Sequence, residues 1–395
     1  MTERPSPPDD FAPPRRRVVY LINGFDAGGA EHGLLTLIRS GFFAGCELRI
    51  VAFCIGNPAL AAQIRQSVGE DNLIVARATR QLTLTGMMLG ALQLATLIRR
   101  FRPHSVVASL KQANIVGRIV LSLFPSVECI SFEHIERYRA RRYERLYAAL
   151  LKLISRRVDS VWADSLATLD STRHYFSRPE LPGHVVPLFC VRDDVDGKSS
   201  WTPASPLRIV AAGRLIARKN MQVAIDTIGR LGQQGIDARL TLYGDGPERE
   251  RLQQHALESG CADRVHFAGH VERWFEAARD HDVFLNLSDT EGFCIVVAEA
   301  LSMGLPAICT DVGGIRQYGR HGHNMIKIAD PSADALAQAV IDLTSAPGTM
   351  RRIGVTARAD MRQAFSADTI RRRGLELLPA ATPVAQKHGK TGLAL

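Results

Sequence analysis

The chain holds no C-x-x-C pair; its seven cysteines, at 46, 54, 129, 190, 261, 294 and 309, lie scattered and mostly in apolar stretches. That distribution argues against a disulfide framework or a structural zinc site and suits reduced thiols. The N-terminus, Met1 to Pro14, lacks the basic start and apolar core of a secretory signal, so the expectation is a cytoplasmic protein. No long apolar run is free of polar groups. The longest uncharged stretch, 81–98, carries Gln81, Thr83, Thr85, Gly86, Gly90, Gln93 and Thr96, and reads as a buried amphipathic helix rather than a membrane span. No fixed-period sequence repeat is present. The basic residues come without an aromatic platform or a nucleic-acid module, which argues against nucleic acid as a partner.

What is present is an ordinary globular composition, 46% hydrophobic and 23% charged, over 395 residues. That length suits two α/β domains of roughly 150–200 residues each. The net charge of +9 is uneven: Leu97 to Arg157 hold 13 Lys/Arg against 4 Asp/Glu. Such a field fits either solvated helix faces or an anionic partner such as a membrane surface.

Apolar runs of strand length (17–23, 48–55, 73–75, 106–110, 129–132, 158–163) alternate with helix-length segments, the pattern of a parallel sheet covered on both faces. The pattern lapses at 192–206, a charged stretch with Ser and Pro, and restarts with LRIVAAG. The expected organisation is a flexible N-terminus (1–16), a first Rossmann-like domain (17–191), a linker (192–206), a second Rossmann-like domain (207–379) and a flexible tail (380–395). Parallel sheets facing a cleft between the two domains make that cleft the expected ligand site.

Four constellations bear on chemistry. In 288–304, SDTEGFCIVVAEALSMG, a strand ends and a helix is expected to start near Gly292 or Phe293, with Glu291 at its N-terminus. Free amides and the dipole there suit a phosphate. Glu299 lies seven residues beyond Gly292, on the same face of such a helix and about 10 Å along its axis. Carboxylates so separated fit poorly the roughly 5–9.5 Å pairs of glycoside hydrolases, and suit holding a long polar ligand at two places. Glu299 is otherwise a helix-surface charge, but its apolar neighbours Val296, Val297, Ala298, Ala300 and Leu301 argue for a partnered carboxylate. Gly213-Arg214 with Lys219-Asn220 reads as a strand end carrying two cations for a diphosphate, or as a surface basic pair. Gly28-Gly29-Ala30-Glu31 allows backbone approach to a ligand or makes a plain strand-to-helix turn; its spacing is not that of a dinucleotide fingerprint. His134, after Phe132-Glu133, is either structural or a catalytic group at a sheet end.

Together these residues resemble glycosyltransferase family 4, retaining enzymes of the GT-B fold, from about Val18 to about Phe365. The matching pieces are GGAE (28–31), EH (133–134), AAGRLIARKN (211–220), YGDGPE (243–248), FAGHV (267–271), EGFCIVVAE (291–299) and MGLPAICTDVGG (303–314). The resemblance implies a metal-independent hexosyltransferase using a UDP- or GDP-linked sugar, without cofactor, on a glycan or lipid-linked acceptor in cell-surface polysaccharide or glycolipid synthesis. It places Glu291 on the donor sugar and His134 at the reaction centre. Arg214, Lys219, Gly28, Gly29 and the amides of Gly292, Phe293 and Cys294 fall on the diphosphate and sugar, Glu299 on the ribose, and Gly269, His270 and Val271 beside the base. The sequence departs from the family at Pro187–Val191 (PLFCV), where relatives often have a Pro-Asn-Gly-Val-Asp type strand end. Two D-x-D strings, Asp194–Asp196 and Asp280–Asp282, sit in the linker and before a strand, positions that do not suit a metal site.

The segment 137–157 reads as an amphipathic helix, with Tyr143, Leu146, Tyr147, Leu150, Leu153 and Ile154 on one stripe and Arg137, Arg141, Arg145, Lys152 and Arg156 on another. It covers the first domain or rests on anionic headgroups, the second reading holding the protein at the inner face of the cell membrane. The rival functions are a sugar-nucleotide epimerase or hydrolase of the same fold and a non-catalytic sugar-nucleotide-binding protein.

Overall fold

The computed structural model describes residues 15–26, 28–134, 152–329 and 331–380. Two parallel sheets form its frame. The first runs β1 (Arg16–Ile22), β2 (Cys46–Ala52), β3 (Leu73–Val75), β4 (Ser105–Ser109), β5 (Glu128–Glu133), β6 (Ser160–Ala163) and β7 (Gly183–Val185), in the order β3-β2-β1-β4-β5-β6-β7. The second comprises β8 (Leu207–Ala212), β9 (Ala238–Tyr243), β10 (Val265–Gly269), β11 (Val283–Asn286), β12 (Ala307–Thr310) and β13 (Ile326–Ile328), in the order β10-β9-β8-β11-β12-β13. All pairs are parallel. The expected pair of Rossmann-like domains is therefore what the chain forms.

Alternation along the strands explains the layers. In β1, Val18, Tyr20 and Ile22 join one apolar cluster while Val19 and Leu21 join another on the opposite face. In β8, Leu207, Ile209 and Ala211 face one way and Val210 and Ala212 the other. With both faces covered by helices, a near-continuous apolar strand is the stable solution. Each sheet reverses its winding beside its first strand, between β1 and β4 and between β8 and β11. Crevices at the carboxyl ends of strands beside such switch points are where ligands sit in open α/β sheets.

Three departures from the sequence expectations matter. The helix expected from Leu34 starts at once after Gly28 and spans Gly29–Arg39. The short strands β7 and β13 had no strong apolar signature and were not expected. The helix Ala367–Leu377, within the expected second domain, packs on the first: Ile370 belongs to the β1–β2 side cluster, and Gly374 lies so close to Phe42 that an added Cβ would meet its carbonyl oxygen. Conversely Phe189 and Val191, before the linker, join the core of the second domain. The chain thus crosses between domains twice.

Candidate active site

Glu291 follows β11 and Lys219 follows β8, so the two face each other across the second switch point. Lys219 Nζ donates to Glu291 Oε1 at 2.5 Å, with the residues 9% and 8% exposed. Burial alone disfavours both charges, yet their mutual attraction prevails, holding the Glu291 carboxyl below its usual range and the Lys219 ammonium above its own. Lys219 closes a short 3-10 turn, Ala217–Lys219, pinned to the β11 loop by Asn220 Nδ2, which donates to Leu287 O (2.9 Å) and Asp289 Oδ1 (2.6 Å). Arg214 is exposed, follows Gly213, where an added Cβ would lie 3.5 Å from Lys219 Nζ, and has no side-chain partner among the described residues.

The loop that carries Glu291 differs from expectation. The helix begins at Ile295 and ends at Ser302, and residues 291–294 lead into it as irregular backbone with Cys294 left-handed at φ 63°. Glu291 and Glu299 are therefore not on one helix; only Glu299 is. Three contacts hold the loop. Tyr318 Oη donates to the carbonyls of Phe293 (3.0 Å) and Cys294 (3.1 Å), Asn286 Nδ2 donates to Cys294 Sγ (2.9 Å), and the Gly314 amide donates to Gly292 O (2.6 Å). Gly313 sits at φ 50° with the Glu291 carbonyl 2.1 Å from where a Cβ would be, so only glycine fits beneath the loop. Phe293 packs behind it against Phe189 (6.3 Å), Tyr318 (5.2 Å) and Phe365 (5.4 Å), contacts worth about 0.5–1.5 kcal/mol each beyond burial. Phe189 belongs to the PLFCV departure, which serves as backing for the loop.

Glu299 is half-buried and accepts from Trp274 Nε1 at 2.8 Å. Burial pushes its carboxyl up to about 7, the Trp274 bond and the Arg192 charge pulling the other way. It lines a pocket of about 310 Å³ together with Ile295, Glu272 and Arg192 of the second domain side and His32 and Arg39 of the first. Exposed His270 and Val271 immediately precede Glu272, and Gly269 (φ 74°) accepts at its carbonyl from the Gly244 amide (2.7 Å). A larger cavity of about 530 Å³ lies behind the loop, among Phe293, Tyr318 and the last two helices, away from every other predicted site residue.

The first domain brings its own edge to the cleft. Gly28 caps the Gly29–Arg39 helix, and a Cβ on Gly29 would touch Ile295 Cδ1 at 3.5 Å, across the domain gap. Glu31, in the first turn, is buried, and burial together with Asp26 raises its carboxyl to about 7. His134 follows β5: its Nε2 lies 2.9 Å from Ser109 Oγ and its Nδ1 3.8 Å from Asp164 Oδ2. Its neighbour Glu133 is buried against Arg118 (2.8 Å) and Ser131 (2.7 Å), an ion-pair network that stiffens the strand end. Spacing arguments missed Arg118, Ser131 and Asp164, which come from separate strands and helices.

Of the basic stripe, Arg137, Arg141 and Arg145 lie outside the described residues. Lys152 and Arg156 are exposed, and Leu153, assigned to the apolar stripe by periodicity, is itself 59% exposed. Of the D-x-D strings, Asp194 pairs with Arg273 (3.0 Å), and Asp282 is buried at the start of β11, accepting from the Arg208 amide (2.7 Å) at the sheet edge opposite the cleft. No helix among the described residues is long and apolar enough to cross a membrane.

The chain is similar to known glycosyltransferases in part of its sequence and in its fold. The family described as Glycosyl transferases group 1 matches residues 206–346. A phosphatidylinositol N-acetylglucosaminyltransferase subunit from Arabidopsis thaliana is 32% identical over 39% of this chain and 35% of its own length. Lipopolysaccharide core biosynthesis glycosyltransferase LpsE of Rhizobium meliloti is 30% identical over 47% of this chain and 53% of its own. The chain thus spans about half or less of these relatives. Over a longer stretch, the putative colanic acid biosynthesis glycosyltransferase WcaL of Salmonella typhimurium is 24% identical, covering 71% of this chain and 69% of its own. Among solved structures, Anabaena Alr3699/HepE in complex with UDP and glucose superposes with a TM-score of 0.76 at 19% identity, over 93% of this chain and all of that one. Residues 206–346 accordingly match the group 1 glycosyl transferases, and the chain as a whole is built on the GT-B fold.

Proposed function

We propose that the protein is a retaining hexosyltransferase that takes a UDP- or GDP-linked sugar and delivers the hexose to a glycan or lipid-linked acceptor in cell-surface polysaccharide or glycolipid synthesis. The observation that carries the reading is the buried Lys219–Glu291 pair at the switch point of the second sheet, with unpartnered Arg214 at its side and the Gly28–Gly29 helix start opposite. The pair offers a cation to a phosphate and a carboxylate to sugar hydroxyls within one small volume. Arg214, Lys219 and the amides of Gly292, Phe293 and Cys294 meet the diphosphate charge directly, a role that in other sites falls to a metal. Glu299, in the adjoining pocket, takes the ribose hydroxyls, and Gly269–Val271 border the base.

In the transfer step the bond from the anomeric carbon to the diphosphate oxygen breaks as the acceptor oxygen bonds to the same face. The acceptor hydroxyl proton passes to the departing phosphate. The protein's part is to stabilise charge growing on the leaving group, with His134 placed at the reaction centre to assist the transfer. The names of LpsE and WcaL support a polysaccharide or lipopolysaccharide acceptor, and the UDP-bound Anabaena structure makes uridine the first base to try. Exposed Lys152 and Arg156, with Arg137, Arg141 and Arg145 before them in the sequence, favour an acceptor presented at an anionic surface. Screening UDP- and GDP-sugars for stabilisation and slow hydrolysis tests the donor. Co-sedimentation with anionic vesicles, abolished when Arg141, Arg145 and Lys152 become Ser, tests the surface; sedimentation indifferent to those changes counts against it.

A further inference from the structure

We propose that Asp164 is a positioning residue for His134, and that its contact with Gly292 ties the orientation of the imidazole to the seat of the donor loop. The proposal rests on the donor-site reading above. Ser109, His134 and Asp164 stand at the carboxyl ends of β4, β5 and β6, three neighbouring parallel strands, so the sheet itself sets them in a row. Ser109 Oγ is 2.9 Å from His134 Nε2, and Asp164 Oδ2 is 3.8 Å from His134 Nδ1. Nδ1 is buried and makes no hydrogen bond. A buried ring N–H calls for an acceptor; Oδ2 faces it, and a shift of about 1 Å brings the two to bonding distance.

The carboxylate is itself held. Asp164 is 3% exposed, Thr168 Oγ1 donates to its Oδ1 at 2.9 Å, and Ser165 Oγ donates to Thr168 in turn. Oδ1 being so used, Oδ2 is turned to His134 and to the other domain. There a Cβ on Gly292 would lie 2.2 Å from it, so carboxylate and donor-loop backbone are in direct contact. Movement of the loop toward the first domain acts on Asp164 before any other side chain of the row. Glu31, on the Gly29–Arg39 helix, also interacts electrostatically with His134, but among the described residues it is Asp164 that forms the ion-pair contact with Nδ1. The atom order Ser Oγ, His Nε2, His Nδ1, Asp is that of an acyl-transfer triad. Ser109 is fully buried, however, so no substrate carbonyl reaches its hydroxyl and the row orients rather than attacks. Asp164 fixes the Nδ1–H tautomer, leaving Nε2 as the acceptor of the Ser109 hydroxyl.

The test is a long-range proton–nitrogen correlation spectrum of the full chain labelled with 15N-histidine, His134 being assigned by its loss in His134→Gln. Wild type is expected to show Nδ1 protonated and Nε2 as acceptor; Asp164→Asn, whose amide can donate to Nδ1, is expected to reverse the tautomer. With a donor sugar that wild type turns over, Asp164→Asn should lose up to about 100-fold in kcat at nearly unchanged KM, the effect of a misplaced group. Thr168→Val, which releases Oδ1, should move both readouts the same way but less, and it carries the test should Asp164→Asn fold poorly. A tautomer unchanged in both variants overturns the proposal. Failure of UDP and GDP to bind even wild type would instead count against the donor-site reading, since the spectrum needs no ligand.

Discussion

Lys219 and Glu291 neutralise one another where solvent barely reaches, so neither can be removed alone without cost. Lys219→Ala leaves a buried carboxylate unpaired, and the expected penalty is about 3–5 kcal/mol, read as a lowered midpoint in chemical denaturation. Its transfer rate should fall by about 100- to 1000-fold, the usual loss when one stabiliser of developing charge is removed. Glu299 gives a pH test. Its carboxyl titrates near 7 in the folded chain against an ordinary 4.5, so the folded state holds the proton longer than the unfolded one. The stability it contributes is full below about pH 4.5 and lost as pH rises through 7, on the order of 3 kcal/mol; Glu31 behaves alike. Ribose hydroxyls donate best to the ionised form, so UDP affinity should rise from pH 5.5 through 7 and level above about pH 8. Calorimetric titrations should find that rise in wild type and not in Glu299→Gln. At Gly292 the prediction concerns a pair: Gly292→Ala should weaken nucleotide binding by driving a methyl into Asp164, and adding Asp164→Ala should restore part of it, measured by the same titrations. The sequence made Glu291, Glu299, Arg214 and Lys219 visible because they lie in compact motifs at strand ends. Asp164 and Arg118 were invisible because their partners are brought by other strands, at separations no local spacing encodes.

The element that the sequence misjudged is the short helix at the donor loop. Gly292 and the apolar run after it suggested a helix start there, but Cys294 takes a left-handed φ that no residue type announces. Tyr318, Gly313 and Gly314, some twenty residues on, hold it, and tertiary contact overrides local preference. Most strands of the two sheets were legible, since burial on both faces leaves long apolar runs, whereas β7 and β13, three residues each, carry too little apolar length to stand out. The Ala367–Leu377 helix also hid its allegiance, because its periodicity marks an apolar face without saying which domain covers it. Gly374 lies against the Phe42 carbonyl. Gly374→Ala should therefore loosen the return crossing, with a loss of about 1–3 kcal/mol from overpacking and faster proteolytic cleavage after residue 365. Cleavage and stability equal to wild type would show that the helix tolerates the displacement.

At the scale of the molecule, two doubly wound sheets set their carboxyl edges against one another, and the proposed donor site is built from the turns and helix starts that follow those edges, with Glu299 on the helix after the 291–294 loop. The first domain contributes backbone at Gly28–Gly29 and the His134 row; the second contributes the charges. Their contacts, Gly29 with Ile295 and Asp164 with Gly292, run beside the proposed diphosphate seat, so a bound diphosphate is expected to meet both domains. We place the heart of a nucleotide-sugar site at the Lys219–Glu291 pair. Thermal-shift titration of UDP, GDP and their hexose derivatives against wild type, Lys219→Ala and Glu291→Ala tests it most directly. One nucleotide series should raise the midpoint of wild type, Lys219→Ala should lose most of the shift, and Glu291→Ala should lose the extra shift given by the sugar over the bare diphosphate. No shift with any of them in wild type, or equal shifts in all three proteins, would contradict it.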